Sequence, residues 1–118
     1  MAKGTITHVE FPADDPERAK RFYEAVAGWE FGTMDGMPGY FLFRTEEAHG
    51  GGLGKRGESV GQVVRVYITV DGLEDAVAAA EANGGKVQTP PTDIPGQGRY
   101  AAVIDTEGNE IGLWENPR

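Results

Sequence analysis

The chain contains no cysteine. That removes disulfides, thiolate nucleophiles and cysteine-ligated zinc in one step. Histidine is nearly absent too, with only His8 and His49 to carry imidazole chemistry. No apolar run approaches the roughly 20 residues that a membrane-spanning helix needs. The N-terminal stretch "MAKGTITHVEF" lacks the apolar core of a signal peptide, so a cytoplasmic location is expected. Basic charge is also scarce, with 11 Lys and Arg against 19 Asp and Glu and a formal net charge of -8. Binding a phosphate backbone takes clustered Lys and Arg. Here only "GKRG" (54–57) forms a short basic knot, which argues against a nucleic-acid partner. A small molecule or a second copy of the chain is left.

What the chain has in excess is glycine, 18 in 118 residues, gathered in turn-like stretches such as "GTMDGMPG" (32–39), "HGGGLGKRG" (49–57) and "PGQG" (95–98). A sheet with many tight connections uses glycine in this way. Hydrophobic content of 39% with 25% charged residues is that of an ordinary globular chain. The length suits a single domain over 1–118.

The chain also repeats itself. Residues 8–31, "HVEFPADDPERAKRFYEAVAGWEF", read as strand, acidic turn, helix, glycine, strand, and residues 65–88, "RVYITVDGLEDAVAAAEANGGKVQ", do the same. Placing Ala19 on Ala76 is an offset of 57, which also sets Gly28 on Gly85, His8 on Arg65 and Glu10 on Tyr67. Further on, Tyr40 pairs with Tyr100, and "GL" at 52–53 pairs with "GL" at 112–113. Such self-similarity means two copies of one supersecondary unit, about 5–57 and about 62–116, each unable to bury its apolar face alone.

Local signals agree within each copy. "THVEFP" and "VRVYITV" alternate as half-buried strands do. "DDPERAKRFYEAVAG" has an Asp cap at Asp15, a proline at the first helical position and a glycine at its end. Ala19, Phe22, Tyr23 and Val26 then make one buried stripe, and Leu73, Ala76, Val77 and Ala80 repeat it. Each copy reads βαβββ. The fold class is α+β, with two such modules forming a curved eight-stranded mixed sheet and the helices on its outer face. "QTPPTDIPGQGRY" (88–100), with three prolines, is too long for a hairpin.

The segment "HVEFPADDPERAKRFYEAVAGWEF", the second unit with "VDGLEDA" and "NGGKV", and the ending "DTEGNEIGLWE" together resemble the vicinal-oxygen-chelate superfamily. That superfamily includes glyoxalase I, extradiol dioxygenases, fosfomycin-resistance enzymes and bleomycin-binding proteins. "DIPGQGRYA" (93–101) is similar to a glyoxalase-like branch whose substrates are mostly unassigned. The resemblance implies a ligand cleft lined by one face of the sheet, a loop near 88–100 covering its mouth, and a homodimer. It also implies a divalent metal (Ni, Zn, Mn or Fe) held by four inward side chains and acting as a Lewis acid. Carried over position by position, the four places fall on His8, Gly52, Arg65 and Gly112. Two offer no side chain and one is a permanent cation.

His8 therefore has two readings, a metal ligand with Glu10 or Glu110 as partner, or a hydrogen-bonded cleft residue. His8 and Glu10, two apart, share one face of their strand. Arg65 either pairs with a ligand's carboxylate or phosphate through its planar fork or neutralises Glu10. Tyr40, Tyr67 and Trp114 share that face if the alternation holds, which would suit a small planar or anionic organic ligand. Trp29 is expected in the core, His49 in an exposed loop, and Glu115 at a subunit contact or the sheet's end. Two functions stay open. One is a small-molecule-binding protein without the complete metal site, whose ligand set is His8, Glu10, Tyr40, Arg65, Tyr67 and Trp114 and whose acidity favours cationic compounds. The other is a glyoxalase-type lyase or isomerase using His8 as metal ligand and Glu10 as base. A purely interacting dimeric module is a third.

Overall fold

A computed structural model describes residues 4–45 and 50–117, so His49 lies outside the described residues. The strands are β1 (Thr5–Ala13), β2 (Glu30–Thr33), β3 (Tyr40–Arg44), β4 (Gly50–Lys55), β5 (Arg65–Thr69), β6 (Lys86–Ile94), β7 (Gly98–Ile104) and β8 (Glu110–Glu115). The helices are α1 (Pro16–Ala27), after β1, and α2 (Leu73–Ala82), after β5. The eight strands belong to one mixed sheet in an α+β fold, each half reading βαβββ. The chain separates into two compact units, Thr7–Arg65 and Val66–Arg118 with Met1–Ile6. Among the described residues no helix is long and apolar enough to cross a membrane.

In the unit Thr7–Arg65 the strand order is β2-β3-β4-β1. β1 and β4 run parallel, with Glu10 opposite Gly52, while β3 and β4 run antiparallel, with Leu42 opposite Gly52. Four of the six residues of β4 are glycine, and at Gly50 and Gly51 the neighbours leave no room. A Cβ on Gly50 or Gly51 would run into the carbonyl oxygens of Phe43 and Val9. α1 starts as its caps dictate. The Asp15 carboxylate accepts from the Arg18 N–H at 3.1 Å, Pro16 opens the helix, and Gly28 closes it at φ 71. One side of the sheet carries stacked rings. Trp29 lies against Phe43 (centroids 4.1 Å apart, 6° between planes) and against Tyr23 (5.1 Å, 17°), and Phe11 packs on Tyr23, Trp29 and Phe43.

The expected buried stripe of α1 is corrected here. None of its residues is buried, and Phe22 and Val26 are 57% and 67% exposed. Ala19 and Tyr23 are partly covered together with Pro16 and Lys20, so the covered arc is rotated toward Lys20 and leaves Phe22 and Val26 at its exposed edge. Phe43 of β3 is buried within its own unit.

In the other unit the order is β5-β8-β7-β6. Leu73 and Val77 of α2 pack on Ala101, Val103 and Leu113, with Ile68, Val70, Ala76, Ala80, Val87 and Ile111 around them. The expected α2 stripe is therefore the core. The segment 88–100 is also corrected. It is a hairpin of β6 and β7 that turns at 95–97, with Ile94 opposite Gly98. Pro90 and Pro91 fit because β6 is the last strand in the order and its register shifts between Thr89 and Thr92.

Candidate functional site

Alternation on β1 turns Val9, Phe11 and Ala13 one way and His8 and Glu10 the other. Tyr40, at the start of β3, reaches across β4 toward β1. It can do so because β4 has glycine at position 52. A Cβ there would come within 2.6 Å of Tyr40 Cε2 and closer still to Cζ and Oη. The ring takes the place that a side chain on Gly52 would occupy.

The Tyr40 hydroxyl donates to Glu10 Oε2 at 3.0 Å, and His8 Nε2 lies 2.9 Å from that hydroxyl's own oxygen, Tyr40 Oη. A phenol has one proton, already given to Glu10, so the hydroxyl accepts from an Nε2–H of His8. Burial of His8 lowers its pKa from the ordinary 6.5, which keeps the ring neutral at neutral pH. Beyond Glu10, Arg65 places Nη1 3.9 Å from Oε1. Glu10, Tyr40 and Arg65 are buried, and His8 is the half-buried end of the series. Four of the residues singled out from the sequence thus come together in one unit as His8–Tyr40–Glu10–Arg65.

The other three belong to the second unit. Tyr67 lies over Gly112, its partner across β5 and β8, where a Cβ would be 2.6 Å from Tyr67 Cγ and closer to Cδ2 and Cε2. Trp114 lies over Gly98, and its Nε1–H donates to Asn116 Oδ1 at 2.9 Å. Glu110 begins β8 opposite Ile104. Among the described residues no three of His, Asp and Glu gather as a metal site would need.

Glu115 ends β8, in line with the second of the two places expected for it. It is buried, and Oε1 accepts from the Leu73 N–H at 3.0 Å. Gly72 occupies the N-cap of α2 with no side chain to offer, so a carboxylate from the end of β8 caps the helix instead. Arg99 ties this corner together through Glu74, Asp93 (2.9 Å) and Glu115 (3.4 Å), and those carboxylates, Glu74 foremost, raise its pKa. The only sequence signal was the uncapped glycine before "LEDA".

Residues 5–113 match the glyoxalase/bleomycin resistance protein/dioxygenase superfamily. The chain belongs to that superfamily. It is 35% identical over 108 residues to CFP32 of Mycobacterium bovis and Mycobacterium tuberculosis, whose name provisionally assigns it to the glyoxylases. The match covers 89% of this chain but 41% of CFP32, so the chain spans about two fifths of that relative. A glyoxylase-like domain-containing protein of Didymella fabae is 31% identical over 122 residues, covering 97% of this chain and 95% of that one. Among solved structures, the Mn(II)-bound glyoxalase of Novosphingobium aromaticivorans superposes with a TM-score of 0.64 at 23% identity. The superposition covers 96% of this chain and 40% of that one, and it speaks for the fold alone.

Superfamily members often bind divalent metals, as that glyoxalase does. The four positions carried over from the superfamily do not form such a donor set here. His8 gives its Nε2 to a hydrogen bond, Arg65 is a cation, and Gly52 and Gly112 have tyrosine rings where ligand side chains would start.

Proposed function

We propose that this chain is a glyoxalase-like protein that binds a small organic ligand without the superfamily's complete metal site. The observation that carries the reading is the His8–Tyr40–Glu10–Arg65 series, in which each group meets the next. Arg65 faces one oxygen of the buried Glu10, and the Tyr40 hydroxyl donates to the other, so the carboxyl group has polar partners without a metal. His8, the least buried of the four, is the group a ligand meets first. The protein acts as a homodimer in this proposal, and the exposed Phe22 and Val26 of α1 offer an apolar face for it.

The relatives' names favour a second reading, a metal-dependent lyase or isomerase with His8 as ligand and Glu10 as base. Native mass spectrometry of gently purified protein, followed by a thermal-shift panel of small planar, anionic and cationic compounds, separates the two. Our reading expects an organic adduct or a stabilising compound whose effect is lost in His8→Ala. No binder from the panel, together with metal-dependent turnover in glyoxalase-type assays, would replace it with the second.

A further inference from the structure

The same geometry identifies what keeps a cation out. We infer that Tyr40 is the residue that closes this site to divalent ions, and that it covers a latent two-ligand cation site made by His8 and Glu10. The inference rests on the metal-independent part of the reading above and not on any organic ligand.

His8 and Glu10 stand two apart on one face of β1, paired with Gly50 and Gly52 of β4, which offer no side chains there. An imidazole lone pair and a carboxylate on the same strand face are ordinary ligands for zinc or nickel. Both must be unprotonated and accessible to serve. Tyr40 denies both at once, because its one hydroxyl lies 2.9 Å from His8 Nε2 and 3.0 Å from Glu10 Oε2. The hydrogen that His8 Nε2 donates occupies the position of the lone pair an ion would use. The ring meanwhile fills the space above Gly52 through which a third ligand, or the water completing the ion's shell, would come. Arg65, with Nη1 3.9 Å from Glu10 Oε1, adds like-charge repulsion at the other carboxylate oxygen. Restoring a carboxylate at position 52 would therefore not restore a site while Tyr40 stays, because both side chains need the same volume.

The test uses nickel or zinc ions alone as probe, titrated calorimetrically into the untagged full chain. Wild type should bind neither ion through His8. Tyr40→Ala, or Tyr40→Ala with Arg65→Gln to remove the like charge, should gain a site binding one ion per chain at least tenfold tighter, and adding His8→Ala should abolish the gain. Tyr40→Phe keeps the ring and should gain far less. If wild type holds one ion that His8→Ala removes, or if the folded Tyr40→Ala variants bind no tighter than wild type, the inference is wrong. Should Tyr40→Ala not fold, nitrogen-15 NMR of the wild type and Tyr40→Phe decides. We expect the Nε2–H tautomer of His8 in wild type and loss of that preference in Tyr40→Phe; an Nδ1–H tautomer in wild type overturns the inference. None of these readouts depends on whether the protein captures an organic compound.

Discussion

The hydroxyl of Tyr40 stands where a side chain on Gly52 would have to begin. The two residues are on neighbouring strands, yet they act as one unit. The missing Cβ lets the ring cross β4, and the ring then delivers a hydroxyl to β1. Tyr67 and Gly112 repeat the arrangement in the other unit with a paired rather than a diagonal partner. Both glycines are superfamily ligand positions by resemblance, and both have become seats for aromatic rings.

Gly52→Ala should therefore cost far more than a glycine replacement in a strand usually does. The ring must leave, and Glu10 and His8 lose their shared partner. Overpacking plus an unsatisfied buried acceptor suggests about 2–4 kcal/mol. In a Tyr40→Ala background the same substitution should be nearly neutral, giving a coupling of at least about 1 kcal/mol. Urea unfolding of the four proteins measures it, and additive losses would show that the glycine and the ring are independent.

Glu115→Ala should weaken α2 specifically. It leaves the Leu73 N–H without its acceptor and deprives Arg99 of one carboxylate, a loss of about 2–3 kcal/mol. Gly72 has extended φ and ψ of -131° and 115°, and a Cβ there would meet only ordinary contacts with Asp75. Gly72→Ser in the Glu115→Ala background should thus return about 0.5–1 kcal/mol by capping locally. Hydrogen exchange in the first turn of α2 reads both effects.

Much of the architecture was legible because it is written locally and twice. The 57-residue offset, the Asp15 cap and the Gly28 ending placed α1, and alternation assigned the faces of β1 and β5. His8, Glu10, Tyr40 and Arg65 could be grouped by face, and the structure brings those four together. What could not be read depends on which strands become neighbours. Nothing in the spacing says that Tyr40 crosses β4, or that Glu115 ends beside a helix that began 42 residues earlier. The prolines of β6 misled for a related reason. They exclude a central strand, and only the strand order shows that β6 lies at an edge.

The α1 stripe failed on rotation. Period counting finds four apolar positions but not which arc meets the sheet. The consequence is measurable. Phe22→Ser should change stability by no more than about 0.5–1 kcal/mol in the monomer, as exposed substitutions do. Leu73→Ala, which empties a fully buried position in the core, should cost about 2–5 kcal/mol. Thermal unfolding of both variants at low protein concentration provides the comparison, and a Phe22→Ser loss approaching that of Leu73→Ala would mean that Phe22 is covered in the folded protein.

His8 makes stability depend on pH in a direction its surroundings fix. Burial lowers its folded pKa below the 6.5 of the unfolded chain. Between those two values the unfolded state holds a proton that the folded state does not, so stability rises with pH across that window. The contribution is complete above 6.5 and is lost as pH falls toward the folded pKa, below which both states are protonated and the loss stops growing. Asp14, held low chiefly by Arg56, and Asp105, held low chiefly by the Asn109 backbone, act only at far lower pH, near and beneath 3.8. His8→Gln can keep a donor toward Tyr40 yet cannot titrate. Its urea midpoint should therefore change less than that of wild type as pH falls through and below 6.5, and equal slopes would mean that His8 is protonated as readily folded as unfolded.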